Sequence, residues 1–475
     1  MIPLKDFAEI IPLLIITCAA LLTMIFEISF KKSEPVIYGL SIVSIIAAIV
    51  TSFMGVMKDQ VIFNNYFHLN NVTLAFTVTI LVGMLITIIS AKSYLEKEEI
   101  NFGEFYSLLL FAVMGMYLMI IGNDILIIFI GLELMSICFY ILAGFLRKRP
   151  KSNESALKYF LLGAFMTGFI LYGIALMYGI TGTTNLTMLY SNPENFKNSI
   201  FIIGFGLYLI GFFFKMGIFP FHMWIPDVYD GAPTIVSGMM STAGKIAAVA
   251  TILPFILNVH LTEFQQIFSV LAVVTMLFGN VIALAQTNIK RLLAYSSISS
   301  AGYIMVGIAS MNELATKGIA YYLVAYTFMQ LGAFLIVSII EKRSADSKDY
   351  ANIDLDSYKG LAKRNPWLAT FMTLFLFSLA GIPPFAGFWG KYYLFFASIK
   401  AGLIWLSVIG IALSLISIYY YLKITVYMWF SEADTLQEKE NVSVLGMTGI
   451  SLAIIGTLIF GLFPNLFFMI FRLGA

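Results

Sequence analysis

Long apolar runs separated by short polar stretches make up most of the 475-residue chain. About 20 helical residues cross a bilayer core of roughly 30 Å. Measured against that length, the runs predict about fourteen membrane spans, near residues 8–29, 36–57, 72–92, 103–121, 124–146, 156–180, 199–220, 233–256, 263–286, 291–311, 315–340, 366–400, 402–428 and 442–471. The pattern therefore predicts an all-α polytopic membrane protein.

Two of these spans carry prolines that interrupt a helix. The twelfth, 366–400, would measure roughly 52 Å as one helix, which is too long for a straight crossing. Its middle reads LAGIPPFAGFWGK, and we predict a break at Pro383–Pro384. The seventh span runs into KMGIFPFHMWIPDVYDGAP, with prolines at 220, 226 and 233, and is predicted to break in the same way.

The two broken segments resemble each other. KMGIFPFHMW (215–224) and LAGIPPFAGFW (379–389) share a G-I-x-P-F core followed by a nearby tryptophan. They lie five spans apart, and because five is odd, two five-helix units would cross the membrane in opposite directions. Inverted repeats with broken helices near the midplane recur among transporters. The match indicates an internal duplication of this kind.

Composition supports a membrane setting and excludes several functions. The chain is 60% hydrophobic and 11% charged, with a mean hydropathy of +0.92, whereas soluble domains carry about 25% charged residues. A net charge of +2 gives no nucleic-acid signature. Two cysteines and three scattered histidines predict neither an iron–sulfur cluster nor a metal site. Without a Walker A loop or GxGxxG, we expect no cofactor in this chain.

Lysine and arginine in the loops predict the orientation. Nineteen of the 28 basic residues fall in loops on one side and six on the other, so the richer side is predicted to be inside. An even number of spans then places both termini outside. The N-terminal MIPLKDFAEIIPLL lacks a basic start and a small-residue cleavage site, so we interpret it as part of the first span.

Among the charged residues within the predicted spans, four are candidates for a function inside the membrane: Glu133, Lys215, Lys245 and Lys391. Glu133 and Lys245 are roughly 15 and 18 Å into their helices, and a charge at that depth costs about 2.5–3.5 kcal/mol on insertion scales. Broken backbone is tolerated there only where protein or water satisfies it. We predict a hydrated interior in which a Glu133–Lys215 pair controls a proton relay to Lys245, with Lys391 beyond the second break.

Simpler interpretations stay open at this point. Lys391 could reach the interface, the Lys245 charge could be purely structural, and Glu133 could be neutralised by protonation. Trp224 would by default anchor at the membrane surface. The secondary candidates for proton transfer, each equally suited to a loop contact or to helix packing, are His222, Asp227, Tyr229, Ser296, Ser297 and Tyr303.

Three segments resemble the subunit N family of proton-pumping NADH–quinone oxidoreductase, respiratory complex I. They are FKMGIFPFHMWIPDVYDGAP (214–233), QTNIKRLLAYSSISSAGYIMVGI (286–308) and LFLFSLAGIPPFAGFWGKYYLF (374–395). The similarity extends over essentially the whole chain. The sister subunit M and the cation/proton antiporters tend to have alanine–histidine where this chain has Val228–Tyr229, so the resemblance to the N family is sharper.

The resemblance implies fourteen helices with inverted five-helix repeats in spans 4–8 and 9–13. It divides the chain into residues 1–102, 103–258, 259–430 and 431–475. It implies that Glu133 and Lys215 form the coupling pair, that Lys245 is the central relay and that Lys391 leads to the outside. The tenth span has no carboxylate to mirror Glu133.

The resemblance further implies a place in a larger enzyme. FMN and iron–sulfur clusters would be held by partner subunits that oxidise NADH and reduce quinone, while this chain moves protons beside subunits M and K in a bacterial inner membrane. Two alternatives remain: a subunit of a multi-subunit cation/proton antiporter, and a membrane scaffold whose charges only pair.

Overall fold

The computed structural model describes residues 3–30, 33–55, 59–100, 102–258, 262–343, 350–432 and 439–474. The helices are α1 Leu4–Glu9, α2 Ile11–Ser29, α3 Glu34–Met54, α4 Asn71–Lys97, α5 Glu104–Ile121, α6 Ile125–Ala143, α7 Pro150–Thr181, α8 Leu186–Ser191, α9 Ser199–Met216, α10 Trp224–Gly231, α11 Thr234–Asn258, α12 Thr262–Leu284, α13 Ile289–Ser310, α14 Glu313–Ile340, α15 Leu361–Arg364, α16 Pro366–Ala380, α17 Ala386–Lys400, α18 Ile404–Phe430, α19 Val444–Leu462 and α20 Pro464–Ile470. Two antiparallel hairpins pair β1 Gln60–Ile62 with β2 Phe67–Leu69 and β3 Lys342–Arg343 with β4 Tyr350–Ala351.

The predicted all-α membrane architecture is confirmed. Thirteen helices in the described part of the chain are long and apolar enough to cross a membrane. The remaining span is the broken twelfth, which consists of α16 and α17 with 15 residues each. Together they account for the fourteen predicted spans. The segment boundaries at residues 102, 258 and 430 stay predictions.

Both predicted breaks are present and share their local geometry. Helix α9 is followed by Gly217 with φ +80°, and α16 by Gly381 with φ +84°. Each glycine N–H donates to the carbonyls three and four residues before it. A left-handed residue at this position ends a helix, and glycine adopts it without a Cβ clash. The repeated motif therefore folds in the same way twice, as a duplication requires.

Glycines bring neighbouring helices into close contact in both units. A Cβ on Gly131 of α6 would lie 2.6 Å from the carbonyl oxygen of Gly115 on α5. In the second unit a Cβ on Gly279 of α12 would lie 2.5 Å from the backbone nitrogen of Ser299 on α13. Small residues let membrane helices approach closely and gain van der Waals contact. The first two helices of each unit are thus held in the same manner.

Burial separates central from peripheral helices. Helices α11, α13 and α14 are buried on almost all sides, whereas α2, α3 and α7 leave most of their surface exposed. The two central helices α11 and α13 carry Lys245 and the serines predicted as secondary candidates. The fold therefore places the predicted relay in the middle of the bundle.

We expect the close contact between α7 and α9 to depend on glycine at one position and not at its neighbour. A Cβ on Gly204 would lie 2.9 Å from the carbonyl oxygen of Gly173, whereas a Cβ on Gly206 meets nothing within 4 Å. Gly204→Ala should lower the free energy of unfolding by about 1–3 kcal/mol. Thermal unfolding of the detergent-extracted complex measures this. Gly206→Ala is the control and should be neutral or slightly stabilising; equal effects of both variants would contradict the packing.

Candidate functional site

Lys215 lies in an aromatic cage at the end of α9. Its side chain is only 7% exposed, and its Nζ donates to the Tyr140 hydroxyl at 3.3 Å. The same nitrogen is 5.3 Å from the ring centroids of Tyr140 and Tyr159 and 5.6 Å from that of Phe214. Aromatic faces attract a cation electrostatically, more strongly when it is desolvated. Among the described residues, the cage therefore holds the Lys215 side chain without a carboxylate in contact.

Trp224 supports this cage from behind. Its indole stacks on Tyr159 with 4.4 Å between ring centroids, and its Nε1 donates to the carbonyl oxygen of Phe214 at 3.0 Å. Trp224 is buried. The interpretation of this residue as an interfacial anchor is wrong, because the break turns α10 back into the protein and carries the indole with it.

Glu133 lies on α6 but does not form the predicted ion pair. Its half-buried carboxylate accepts a hydrogen bond from the Thr167 hydroxyl of α7 at 2.7 Å. Tyr140, seven residues or roughly 10 Å further along α6, contacts Lys215 instead. Among the described residues no carboxylate lies at ion-pair distance from Lys215, so the predicted Glu133–Lys215 contact is wrong.

Lys245 is at the centre of the bundle, as predicted. Its side chain is 1% exposed, and its Nζ donates to the carbonyl oxygen of Ser297 at 2.6 Å and to its hydroxyl at 2.7 Å. The ring of Tyr326 lies 5.2 Å away. The structure thus joins Lys245 to Ser297, one of the predicted secondary residues, and buries the ammonium group among neutral oxygens.

Lys391 turns back into the second break. Its Nζ donates to the carbonyl oxygen of Ala380, the last residue of α16, at 2.9 Å, and lies 4.8 Å from the ring centroid of Tyr303. Its side chain is 5% exposed. The alternative in which Lys391 extends to the membrane surface is wrong, because the free carbonyls at the end of α16 attract the ammonium group inward.

Asn280 is a central residue of the second unit that sequence reasoning missed. It is fully buried in α12, and its side-chain oxygen accepts from Ser299 at 2.9 Å and from Tyr420 at 3.1 Å. Its Nδ2 donates to the Tyr303 hydroxyl at 3.5 Å. The available signal was a single amide inside the apolar run LFGNVIALA.

Hydroxyl and amide groups continue from Lys245 towards Lys391. The Ser296 hydroxyl, next to Ser297, bonds to the Tyr421 hydroxyl, and the rings of Tyr421 and Tyr420 are 4.5 Å apart. Tyr420 leads to Asn280 and Tyr303, and Tyr303 to Lys391. Of the predicted residues, Ser297 therefore contacts Lys245, Tyr303 lies against Lys391, and Ser296 contacts Tyr421 between them.

His222 and Tyr229 both lie near the first break, but only Tyr229 joins this series, because its hydroxyl is hydrogen-bonded with Ser297. The buried His222 ring stacks against Phe219 at 5.5 Å, and its Nδ1 has no hydrogen-bond partner in the part of the chain that the structure describes. The Phe219 N–H, freed by the break, donates to the Thr275 hydroxyl at 3.1 Å. Tyr229 is buried, and its carbonyl oxygen accepts from Ser237 at 2.8 Å.

Asp227 holds three helices together. Its partners are two cations outside the predicted relay of Lys215, Lys245 and Lys391. Its carboxylate accepts from Lys158 of α7 at 2.7 Å and from Arg291 of α13 at 2.8 Å. Burial alone would raise the pKa of Asp227, but the hydrogen bonds from these two cations outweigh it and lower the pKa below its ordinary value. Asp227 therefore stays ionised and fixes α10 against both units.

A family model described as NADH:quinone oxidoreductase/Mrp antiporter, transmembrane, matches residues 122–417. A protein of Trichlorobacter lovleyi named NADH-quinone oxidoreductase subunit N is 42% identical over 94% of this chain and 92% of its own length. The chain belongs to the NADH–quinone oxidoreductase subunit N family. A second subunit N, from Chloroherpeton thalassium, is 38% identical over 98% of this chain and 97% of its own length.

Solved structures agree with this family assignment. A chain of respiratory complex I from Thermus thermophilus is 30% identical, with a TM-score of 0.84 over 98% of this chain and all of its own. A chain of the Mrp complex from a Dietzia species shares the fold, with a TM-score of 0.81 over 98% of this chain and 96% of its own at 19% identity. These comparisons confirm that the chain resembles the subunit N family, as its sequence motifs predicted.

The lowered pKa of Asp227 makes its contribution to stability pH-dependent. A depressed carboxyl pKa stabilises the folded state above the ordinary aspartate value of about 3.9, and this contribution is lost as the pH falls below that value through the folded-state pKa. Asp227→Asn should therefore lower the melting temperature at neutral pH, with the difference from wild type shrinking below about pH 4. Melting curves across pH check this; a difference that persists at low pH would contradict the clamp.

Proposed function

We propose that this chain is the proton-translocating membrane subunit of an NADH–quinone oxidoreductase. The observation that carries the proposal is the series of side-chain groups between two buried lysines, Lys245 and Lys391, through the serines, tyrosines and Asn280 described above. A proton-accepting amine in contact with hydroxyls is the chemistry that a relay needs. Electron transfer takes place elsewhere in the complex.

The first half of the path starts at the protein surface. Glu133 is half-buried on α6, whose neighbouring Ile130 and Ile137 are exposed, so this carboxylate is open to an adjacent subunit. A change of charge next to Glu133 would act on Lys215 through Tyr140 rather than through direct pairing. The charge on Lys215 then controls how readily Lys245 takes up a proton. Lys391 is the last lysine on the path before the proton leaves the protein.

We infer the partners and setting from the relatives and the loop charges. The named relatives are subunits of NADH–quinone oxidoreductase, so partner subunits carry FMN and iron–sulfur clusters and reduce quinone with electrons from NADH. The chain lies beside subunits of the M and K type in a bacterial inner membrane. Both termini face outside.

A cation/proton antiporter subunit is the second candidate, because the Dietzia Mrp chain has the same fold. The two functions differ in their assemblies. Purification of the complex through this chain separates them: flavin and iron–sulfur proteins that co-purify support the first function. Sodium-dependent transport by an assembly without redox proteins supports the second.

Lys245→Ala tests the proposal most simply. Without the central amine, proton pumping driven by NADH oxidation in membrane vesicles should fall by at least about a hundredfold, the lower end of the range for losing a proton-transfer group. The matched control is Lys197→Ala, which removes a lysine with a side chain 71% exposed and should leave pumping unchanged.

A native gel establishes that each variant is assembled before pumping is compared. If Lys245→Ala assembles fully and pumps like wild type, the lysine is a structural group and the proposed function is wrong. If neither pumping nor assembly survives, Lys245→Arg, which keeps the cation but not its ready deprotonation, decides: assembly with loss of pumping supports the relay, and full pumping contradicts it.

A further inference from the structure

A group of charged residues, all buried except the exposed Lys97, lies where α4 and α14 end and α7, α11 and α13 begin. We call Lys97, Glu98, Arg149, Lys290 and Glu341, with the tyrosines that contact them, the inner-end cluster. Lys/Arg counts predict this end to be inside. The count of basic residues in the loops placed Arg149 and Lys290 among the nineteen on the inside, but both are buried. The path proposed above uses none of these residues.

The cations of the cluster are held by specific contacts. Arg149 forms a buried ion pair with Glu98. The ring of Tyr350 contacts both Arg149 and Lys290, with each cation 4.0 Å from its centroid, and Lys290 Nζ donates to the carbonyl oxygen of Ala232 at 2.9 Å. These interactions satisfy a charge pair and one further cation.

Glu341 differs from Glu98, the other acidic residue of the cluster, in the contacts of its carboxylate. It is 0% exposed; its Oε2 accepts from the Thr234 hydroxyl at 2.6 Å, while its Oε1 has no hydrogen-bond partner among the described residues. Lys97 donates to the Glu341 backbone carbonyl, not to its carboxylate. Within the described part of the chain no cation lies at ion-pair distance from this carboxylate. Burying a carboxylate in this way is costly, and uptake of a proton relieves the cost.

The surroundings of Glu341 contain charges of both signs. Lys97 and Glu98 face it from the end of α4, Arg149 from the start of α7, and Lys290 from the start of α13. Three tyrosines also face it: Tyr94 of α4 and Tyr350 of β4, with 3.4 Å between their hydroxyl oxygens, and the fully buried Tyr358. Glu341 is thus surrounded by cations, a second carboxylate and phenols, while one of its own oxygens has no partner among the described residues.

A polar cavity leads to the cluster. It has a volume of about 470 Å³ between α4, α14 and α19, and its lining includes Tyr94, Lys97 and Ser338. Lys97 Nζ also donates to the carbonyl oxygen of Ser338 at 2.8 Å. The cavity is large enough for water and has the polar partners that water requires. It therefore lets solvent reach Tyr94 and Lys97, side chains that lie next to Glu341.

One face of α14 leads from Glu341 to the central lysine. Gln330 lies eleven residues before Glu341 and Tyr326 four residues before Gln330, spacings that place all three on one side of a helix. Gln330 is fully buried, and its Oε1, like Glu341 Oε1, has no partner in the described segments. Tyr326 lies 5.2 Å from Lys245 Nζ. Roughly 16 Å of helix separates Gln330 from Glu341, and the buried apolar residues Phe334 and Val337 lie between them on this face. A proton moving between the two oxygens therefore requires waters that pass these side chains.

We propose that Glu341 is the proton-loading residue on the inner side and that it supplies Lys245 along this face of α14. The inference rests on the proposed proton-translocating function. The O–H bond of the Glu341 carboxyl breaks as an adjacent water accepts the proton, waters between Glu341 and Gln330 pass it on by making and breaking their own O–H bonds, and an N–H bond forms at the neutral amine of Lys245. Water in the cavity then returns a proton to the Glu341 carboxylate.

The test is Glu341→Gln in the assembled complex, with Glu313→Gln at the exposed start of the same helix as the matched control. Glu341→Gln keeps the shape and removes the titratable proton, so pumping should fall at least tenfold and lose its dependence on inside pH. Glu341→Asp should restore part of both. Glu313→Gln should pump like wild type.

A readout without turnover separates this inference from the proposed function. Infrared difference spectra of the resting complex should show a buried carboxyl band that titrates with pH and is missing in Glu341→Gln. That band would support loading at Glu341 even if Lys245→Ala pumped normally and the proposed function failed. Absence of the band in wild type, or wild-type pumping and pH profile in Glu341→Gln, would overturn the inference.

Thr234→Val decides the case in which Glu341→Gln does not assemble. It leaves the carboxyl in place and removes the hydroxyl that donates to it, the one side-chain donor to this carboxylate in the described segments. The assembled variant should pump more slowly, with a shifted pH profile. A profile identical to wild type would overturn the inference.

Discussion

Two helices that break inside the membrane impose the constraint on which the rest of this structure depends. Every backbone group freed at such a break must find a partner, because lipid provides none. At the first break the Thr275 hydroxyl and the Trp224 indole supply partners, and at the second the Lys391 ammonium group binds the last carbonyl of α16. The groups that satisfy the backbone also create a polar interior, and the buried lysines lie in or beside it.

The three lysines share an environment that lacks a direct counter-ion. Aromatic faces and a phenol surround Lys215, serine oxygens hold Lys245, and a backbone carbonyl holds Lys391. In the described part of the chain none of them contacts a carboxylate. A buried ion pair would bind the proton of the lysine tightly and leave an unpaired carboxylate behind when it departs. Neutral partners avoid this cost, so the proton can leave without stranding an opposite charge.

Much of the fold could be predicted from the sequence because its signals are local. Apolar length marks the spans, and the glycine and prolines around Gly217 and Gly381 mark the two breaks. The positions of Lys245 and Lys391 followed from the same reasoning. The hydrogen-bond partners could not be predicted in this way, because they depend on which helices meet. Lys215 contacts Tyr140 and not Glu133, and Asn280 joins helices separated by more than one hundred residues. The burial of Lys290 likewise follows from a contact with Tyr350, sixty residues later.

The central claim is that protons cross the second unit by way of the lysine at its break. The ratio of protons pumped to electrons transferred, measured in vesicles carrying the assembled Lys391→Ala complex, tests it most directly. The account predicts that this ratio falls while NADH oxidation persists when an uncoupler removes the proton gradient. An unchanged ratio in a fully assembled complex would contradict it, because protons would then leave by a route that does not include Lys391.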